Sequence, residues 1–156
     1  MEKLDAIDVK ILTILMQNGR RRRNEIAAEV GLSLPAVSER MKKMTDREII
    51  KGYTVLLDAK KLGFDITAFV FVNVDGSKFY SAFIKHVKET ATIIECHSVT
   101  GDGSHLLKIK AQNTSDLEKT LNKIQSWDGV HGTRTSIVLS SIKESDELPI
   151  DEVFSN

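Results

Sequence analysis

The chain is short of the features that would place it in many common protein classes. It has one cysteine, Cys96, in 156 residues, so no internal disulfide can form, and a reducing cytoplasm is the expected setting. No apolar run approaches membrane-spanning length, and Met1-Glu2-Lys3-Leu4-Asp5 lacks the pattern of a signal peptide. No membrane partner is therefore expected. Net charge is absent too: 22 basic residues balance 22 acidic ones, so global basicity does not advertise nucleic acid. Metal and nucleophile constellations are also missing. Cys96 and His97 are adjacent on an expected strand and would point to opposite faces, and His86, His105 and His131 show no ligand spacing. No catalytic residue, no metal and no cofactor are therefore expected.

The charge balance hides an asymmetry. Residues 1–63 hold 13 basic against 9 acidic side chains, a net of +4, and residues 64–156 hold 9 against 13, a net of −4. A basic module joined to an acidic remainder suits a DNA-binding domain fused to something else. Leu4, Ile7, Ile11, Ile14 and Leu15 recur at helical spacing, giving a first helix over about Asp5 to Met16, closed by Asn18-Gly19. A second helix covers roughly Asn24 to Val30 and a third Leu34 to Met44. Gly31 supplies the positive φ of a tight turn, Ser33 can cap the third helix, and Pro35 is tolerated in its first turn. On the wheel Val37, Met41 and Met44 fall together, opposite Ser38, Glu39, Lys42 and Lys43. That distribution suits a helix packed on one side and lying in a major groove on the other, and equally any helical hairpin with a solvated face. Ile49 to Leu57 reads as a hairpin turning at Lys51-Gly52, which would complete a winged helix-turn-helix.

The remainder repeats a strand–helix–strand pattern. Ile66 to Val74 places Ala68, Val70, Val72 and Val74 on one face and Phe69 and Phe71 on the other, so both faces need cover, one from a partner subunit. A helix carrying Tyr80, Phe83, Ile84 and Val87 on one face follows, then strands over Ile93 to Val99 and Leu106 to Ala111. Ser115 to Glu118 reads as a capping box opening a helix with Leu117, Leu121 and Ile124 inward; Asp128-Gly129 breaks it, and Thr133 to Ile142 is the last strand. The fold class expected is α+β: an N-terminal winged helix-turn-helix, then a ferredoxin-like βαββαβ domain. The expected segments are a DNA-binding domain over 1–58, a linker over 59–65, a dimerisation and effector-binding domain over 66–143, and an acidic tail over 144–156, ordered only in an assembly.

Candidate DNA contacts are the run Arg20, Arg21, Arg22 and Arg23 for phosphates, with Ser33, Pro35, Ala36, Ser38, Glu39, Lys42 and Lys43 on the third helix and Lys51 beyond it. Glu39 stands i,i+4 to Lys43, so a helix-face ion pair competes with base contact. Arg40 falls at the edge of the buried face and can pack there. The cap of the second helix is expected to pass to Asn24. In Thr100-Gly101-Asp102-Gly103-Ser104-His105 two glycines let backbone amides approach a carboxylate, and Asp102 suits an ammonium; Thr133 and Thr135 are expected beside them. A plain hairpin turn would use the same Gly-Asp-Gly.

The chain resembles the Lrp/AsnC (feast/famine) family of transcription regulators over about residues 4–143. The resemblance rests on Leu4-Asp5, Ile7-Asp8, Asn18-Gly19-Arg20, Val30-Gly31-Leu32-Ser33, Val37 with Arg40, and Ile50-Lys51-Gly52-Tyr53. It continues through Glu95 to Asp102, Gly129-Val130 and Thr133-Arg134-Thr135. It implies a sequence-specific regulator of double-stranded DNA. It further implies a homodimer paired through its sheets and joined into a higher oligomer such as an octamer, with a small effector, commonly an amino acid, bound between subunits. Relatives often carry an aromatic and then an acid after Gly-Asp, where this chain has Gly103 and Ser104. Two other readings share the architecture: a tetrapyrrole decarboxylase subunit of haem biosynthesis, and a ligand-sensing module with little DNA binding.

Overall fold

A computed structural model describes residues 4–101 and 103–154. They divide into two compact units: residues up to Leu56 together with those from Lys143 onward, and Leu57–Ile142.

In the first unit three helices are cut by local chemistry. α1 (Ala6–Gln17) starts at Asp5, whose Oδ1 accepts the Asp8 amide at 2.8 Å while Asp8 Oδ2 accepts the Asp5 amide at 3.3 Å. The reciprocal pair satisfies two of the orphan donors at the helix start. α2 (Arg23–Val30) begins one residue earlier than the sequence predicts, with Asn24 inside it rather than capping it. Glu25 takes the capping role by accepting the Arg22 amide at 3.2 Å. Gly31 ends α2 at φ 71°, and Ser33 Oγ caps α3 (Leu34–Asp46) by accepting the Ala36 amide at 3.3 Å. Ile11, Ile14, Ile26, Val37, Met41, Met44 and Ile50 close the core between the helices.

The expected wing is not formed. Residues 51–57 carry no strand, and Tyr53, Val55, Leu56 and Leu57 are exposed. A two-residue hairpin needs positive φ at its turn, and Gly52 does not adopt it. Two short strands without a third also lack the packing that makes a hairpin stable.

The second unit holds a four-stranded antiparallel sheet in the order β2-β3-β1-β4. Its strands are β1 (Ile66–Val74), β2 (Ile93–Ser98), β3 (His105–Ala111) and β4 (Val130–Ile137). β4 begins three residues before the expected Thr133 and ends five before Ile142. The β1–β4 ladder ends at Ala68 and Ile137, with one further bond from the Val138 amide to the Thr67 carbonyl, and Leu139 and Ile142 are almost fully exposed. α4 (Tyr80–Glu89) and α5 (Thr114–Gln125) cover the face of Val70, Val72, Leu107 and Ile109, burying Phe83, Val87, Leu117, Ile124 and Trp127 against it. Each such side chain contributes roughly 1.5–3 kcal/mol relative to exposure. Tyr80, expected on the inward face, is 44% exposed. α5 is capped by Asn113, whose Oδ1 accepts the Asp116 amide at 3.0 Å, so the cap lies two residues before the predicted Ser115. On the opposite face Phe69, Phe71 and Leu106 are half-buried, and the Arg134 guanidinium lies 4.8 Å from the Phe71 ring centre.

Part of the acidic segment packs within a single chain. α6 (Ile150–Phe154) packs on α1, with Asp151 Oδ1 3.1 Å from Thr13 Oγ1.

Candidate nucleic-acid interface and small-molecule groove

α3 is held by its apolar stripe and leaves its other side to solvent. Val37, Met41 and Met44 are buried, Glu39, Lys42 and Lys43 are exposed, and Ser38 and Ala36 are half-exposed. Glu39 Oε1 lies 3.6 Å from Lys43 Nζ, the helix-face pair its spacing predicts, leaving Lys42 as the cation on this face without an ion pair among the described residues. Ser33 spends its hydroxyl on the cap, which aims its neighbouring amides outward at the helix start.

The arginine run is divided in its uses. Arg21 lies 3.4 Å from Glu25 and 3.3 Å from Glu29, and so is tied to α2. Arg20, Arg22 and Arg23 are exposed and carry no ion pair among the described residues. Lys51 is exposed on the segment where a wing was expected. Arg40 is engaged inward: its Nη1 lies 2.7 Å from Asp5 Oδ2 and 2.7 Å from Asp8 Oδ1. These two carboxylates, Asp8 first, push the guanidinium above its ordinary value. Partial burial alone would raise Asp5, but the Asp8 amide and Arg40 hold its carboxyl below the usual range.

In the second unit an open groove of about 440 Å³ is lined by Val74, Gly76, Ser77, Tyr80, Ser98, Ser104 and His105. Ser104 Oγ accepts the Val74 amide at 2.9 Å and lies 3.1 Å from the Val72 carbonyl and 2.9 Å from His105 Nδ1. One hydroxyl proton cannot serve both acceptors, so Ser104 sets the His105 tautomer. His105 is 3% exposed, packed 4.6 Å from Phe83 and 5.4 Å from Tyr80 between ring centres, and its Nε2 has no partner among the described residues. That burial lowers its pKa from the ordinary value. Tyr80 Oη and Ser98 Oγ stand 3.3 Å apart on the rim.

The groove gathers part of the expected effector set. Ser104 and His105 line it; Thr100 and Gly101 do not, and Asp102 lies outside the described residues. Gly103 is buried on the other side of the strand, where a Cβ would meet Phe71 Cβ at 3.3 Å and the Val72 carbonyl at 3.4 Å. Thr133 and Thr135 lie on β4, with the whole of β1 between them and His105. Gln125 Nε2 donates to Thr133 at 2.8 Å. Ser77, Tyr80 and Ser98 were not anticipated, because they come from the start of α4 and the end of β2, and nothing in their local pattern marks them. Among the described residues no three His, Cys, Asp or Glu side chains are grouped to hold a metal, and no helix is long and apolar enough to cross a membrane.

Comparison with known proteins gives this geometry its context. Residues 4–51 match the winged helix-turn-helix DNA-binding model, and residues 67–148 match the Lrp/AsnC ligand binding domain. The chain is 37% identical to the HTH-type transcriptional regulator FL11 of Pyrococcus horikoshii, over 94% of this chain and 97% of that one. It is 32% identical to the regulatory protein AsnC of Haemophilus influenzae, over 90% and 95%. Among solved structures it is similar to a transcriptional regulator of Neisseria meningitidis in complex with L-Met. There the TM-score is 0.91, with 27% identity over 97% and 99% of the two chains. It is also similar to E. coli AsnC, with a TM-score of 0.84 and 30% identity over 90% and 95%. With a helix-turn-helix unit, a four-stranded antiparallel sheet unit and full-length relatives that regulate transcription, the chain belongs to the Lrp/AsnC family of transcriptional regulators.

Proposed function

We propose that this regulator binds duplex DNA in the cytoplasm as a homodimer, built through the second unit and joined into a larger ring such as an octamer. α3 lies in the major groove, Ser38, Glu39 and Lys42 meet base edges with Ala36 beside a thymine methyl, and Arg20, Arg22, Arg23, Lys43 and Lys51 meet phosphates. The observation that carries this reading is the division of α3 into a buried Val37-Met41-Met44 stripe and a solvated polar face beside exposed arginines. The half-buried Phe69-Phe71-Leu106 face supports dimerisation, since α4 and α5 cover only the other side of the sheet. A small amino acid or related carboxylate would occupy the Ser98–His105 end of the unit, with Thr133 and Thr135 supplied by a neighbouring subunit. The methionine held by the Neisseria relative and the match to a ligand binding domain support that effector class.

The test is a gel shift on DNA selected by the wild-type protein, repeated with each amino acid and across salt. Neutralising several phosphates per dimer should cost roughly 10³-fold in affinity between 50 and 200 mM salt. Replacing Arg22 and Arg23 with alanine should weaken all sequences alike and lower the salt slope by about one for each phosphate lost, while Arg21→Ala should do less. Full affinity in the double variant removes the phosphate assignment. A monomer by light scattering removes the assembly.

A further inference from the structure

We propose that Arg40 is a positioning residue: it ties the middle of α3 to the two carboxylates that start α1, and so fixes the angle at which Ser38 and Lys42 meet DNA. The guanidinium, the two carboxylates and two backbone amides form a closed set. Each carboxylate gives one oxygen to a backbone amide at the start of α1, at 2.8 and 3.3 Å, and the other to Arg40 Nη1, at 2.7 Å in both cases. The same two aspartates thus cap one helix and grip the next. Arg40 is 30% exposed and Asp8 17%, so that arm of the latch is better shielded than a surface ion pair, while Asp5 is 51% exposed.

The rest of the α3 seat cannot fix rotation as well. Its buried stripe is Val37, Met41 and Met44, and methionine is unbranched and adapts to many packings. Charge-assisted hydrogen bonds to two separate carboxylates are directional. In a helix about 10–12 Å across, a turn of roughly 10° about the axis moves the outer side chains by about 1 Å. Hydrogen bonds to base edges tolerate only a few tenths of an ångström before they weaken. Nor does Arg40 suit phosphate: with Asp5 and Asp8 the cluster carries a net −1, so it would repel the backbone it approached.

The experiment uses full-length variants and two duplexes of equal length, one selected from random DNA by the wild-type protein and one of random sequence. Arg40→Gln removes the latch. Asp5→Asn keeps the oxygen that caps α1 and replaces only the one facing Arg40 with an amide donor. Both variants should lose preference for the selected duplex by about ten-fold, the equivalent of one weakened base contact. Affinity for the random duplex should stay within about two-fold and the salt slope should not change. Arg40→Lys, which can still donate to both carboxylates, should retain most of the preference. Equal losses on both duplexes with a shallower salt slope would make Arg40 a phosphate contact and overturn the proposal. Unchanged preference in variants with native circular dichroism would overturn it as well. Should Arg40→Gln fail to fold, Asp5→Asn decides alone.

Discussion

The two units hold themselves together in different ways. The helical unit has a modest core and depends on its ends: two reciprocal carboxylates start α1, a glycine at φ 71° ends α2, a serine starts α3, and Arg40 joins α3 to α1. The sheet unit depends on its middle, where Ala68, Val70, Val72, Leu107, Ile109, Phe83 and Ile124 have no exposure at all. The helical unit leaves Arg20, Arg22, Arg23 and Lys42 exposed and without an ion pair among the described residues. The sheet unit gathers the Ser104 hydroxyl and the buried His105 imidazole at a groove whose rim carries Tyr80 and Ser98.

The sharpest way to break that comparison is to remove the centre of the sheet unit. Phe83→Ala should cost about 3–5 kcal/mol, the usual range for an aromatic lost from a packed core. In denaturant the sheet unit should then unfold well before the helical unit, giving two transitions by fluorescence of Trp127 and circular dichroism. A single unchanged transition would show that the core does not carry this unit.

Glycines sharpen it next. Gly129 and Gly31 both have positive φ, 83° and 71°. A Cβ at Gly129 would run into the Phe79 ring, whereas one at Gly31 meets nothing within 4 Å. Gly31→Ala should cost only the left-handed backbone penalty, about 1–2 kcal/mol. Gly129→Ala should cost clearly more, because overpacking adds a further roughly 1–3 kcal/mol. Equal losses in thermal unfolding would mean Phe79 yields freely.

Acid separates the units by a smaller amount. Unfolded, His105 takes a proton near its ordinary value of 6.5; folded, buried beside Phe83, it takes one only at lower pH. Above that value both states are neutral and nothing is lost. As pH falls through about 6.5 the unfolded state binds the proton first, so the sheet unit loses stability, by at most about 1.4 kcal/mol per pH unit. In the helical unit Asp5 is held below 3.8, so its contribution is present at neutral pH and fades only as pH falls past that range. His105→Phe should flatten the stability profile between pH 7.5 and 5.5 for the sheet unit alone. An unaltered slope in that variant would acquit the imidazole.

The same division decides how much the sequence could tell. The starts of α1 and α3, the Gly31 turn and the buried faces of α3, β1 and α5 were legible because capping, positive φ and periodicity are local. The hairpin at Lys51-Gly52 was misread because alternation says nothing of whether a third strand exists to pair. α5 is capped by Asn113 rather than Ser115 because both stretches carry cap chemistry and only packing chooses between them. The groove was half legible: Ser104 and His105 stand in a recognisable turn, but Ser77, Tyr80 and Ser98 join them only through sheet register. Arg40 could be placed at the edge of a buried face, while its two partners, 32 and 35 residues away, could not.

The smallest effect tests whether the outer face of α3 exists for folding or for DNA. The Glu39–Lys43 pair, 3.6 Å apart, is more than half exposed on both sides, and pairs of this kind contribute about 0.3–0.5 kcal/mol. Glu39→Gln should therefore leave the unfolding midpoint almost unchanged. It should still alter DNA binding if the proposed interface holds, because it removes a negative charge from that face and releases Lys43 from its pair. Affinity for random duplex should rise, while preference among selected sequences should fall wherever Glu39 accepts from a cytosine amine. A variant with unchanged stability and altered binding would assign this face to DNA. Loss of stability with unchanged binding would return it to the ordinary economy of a helix surface.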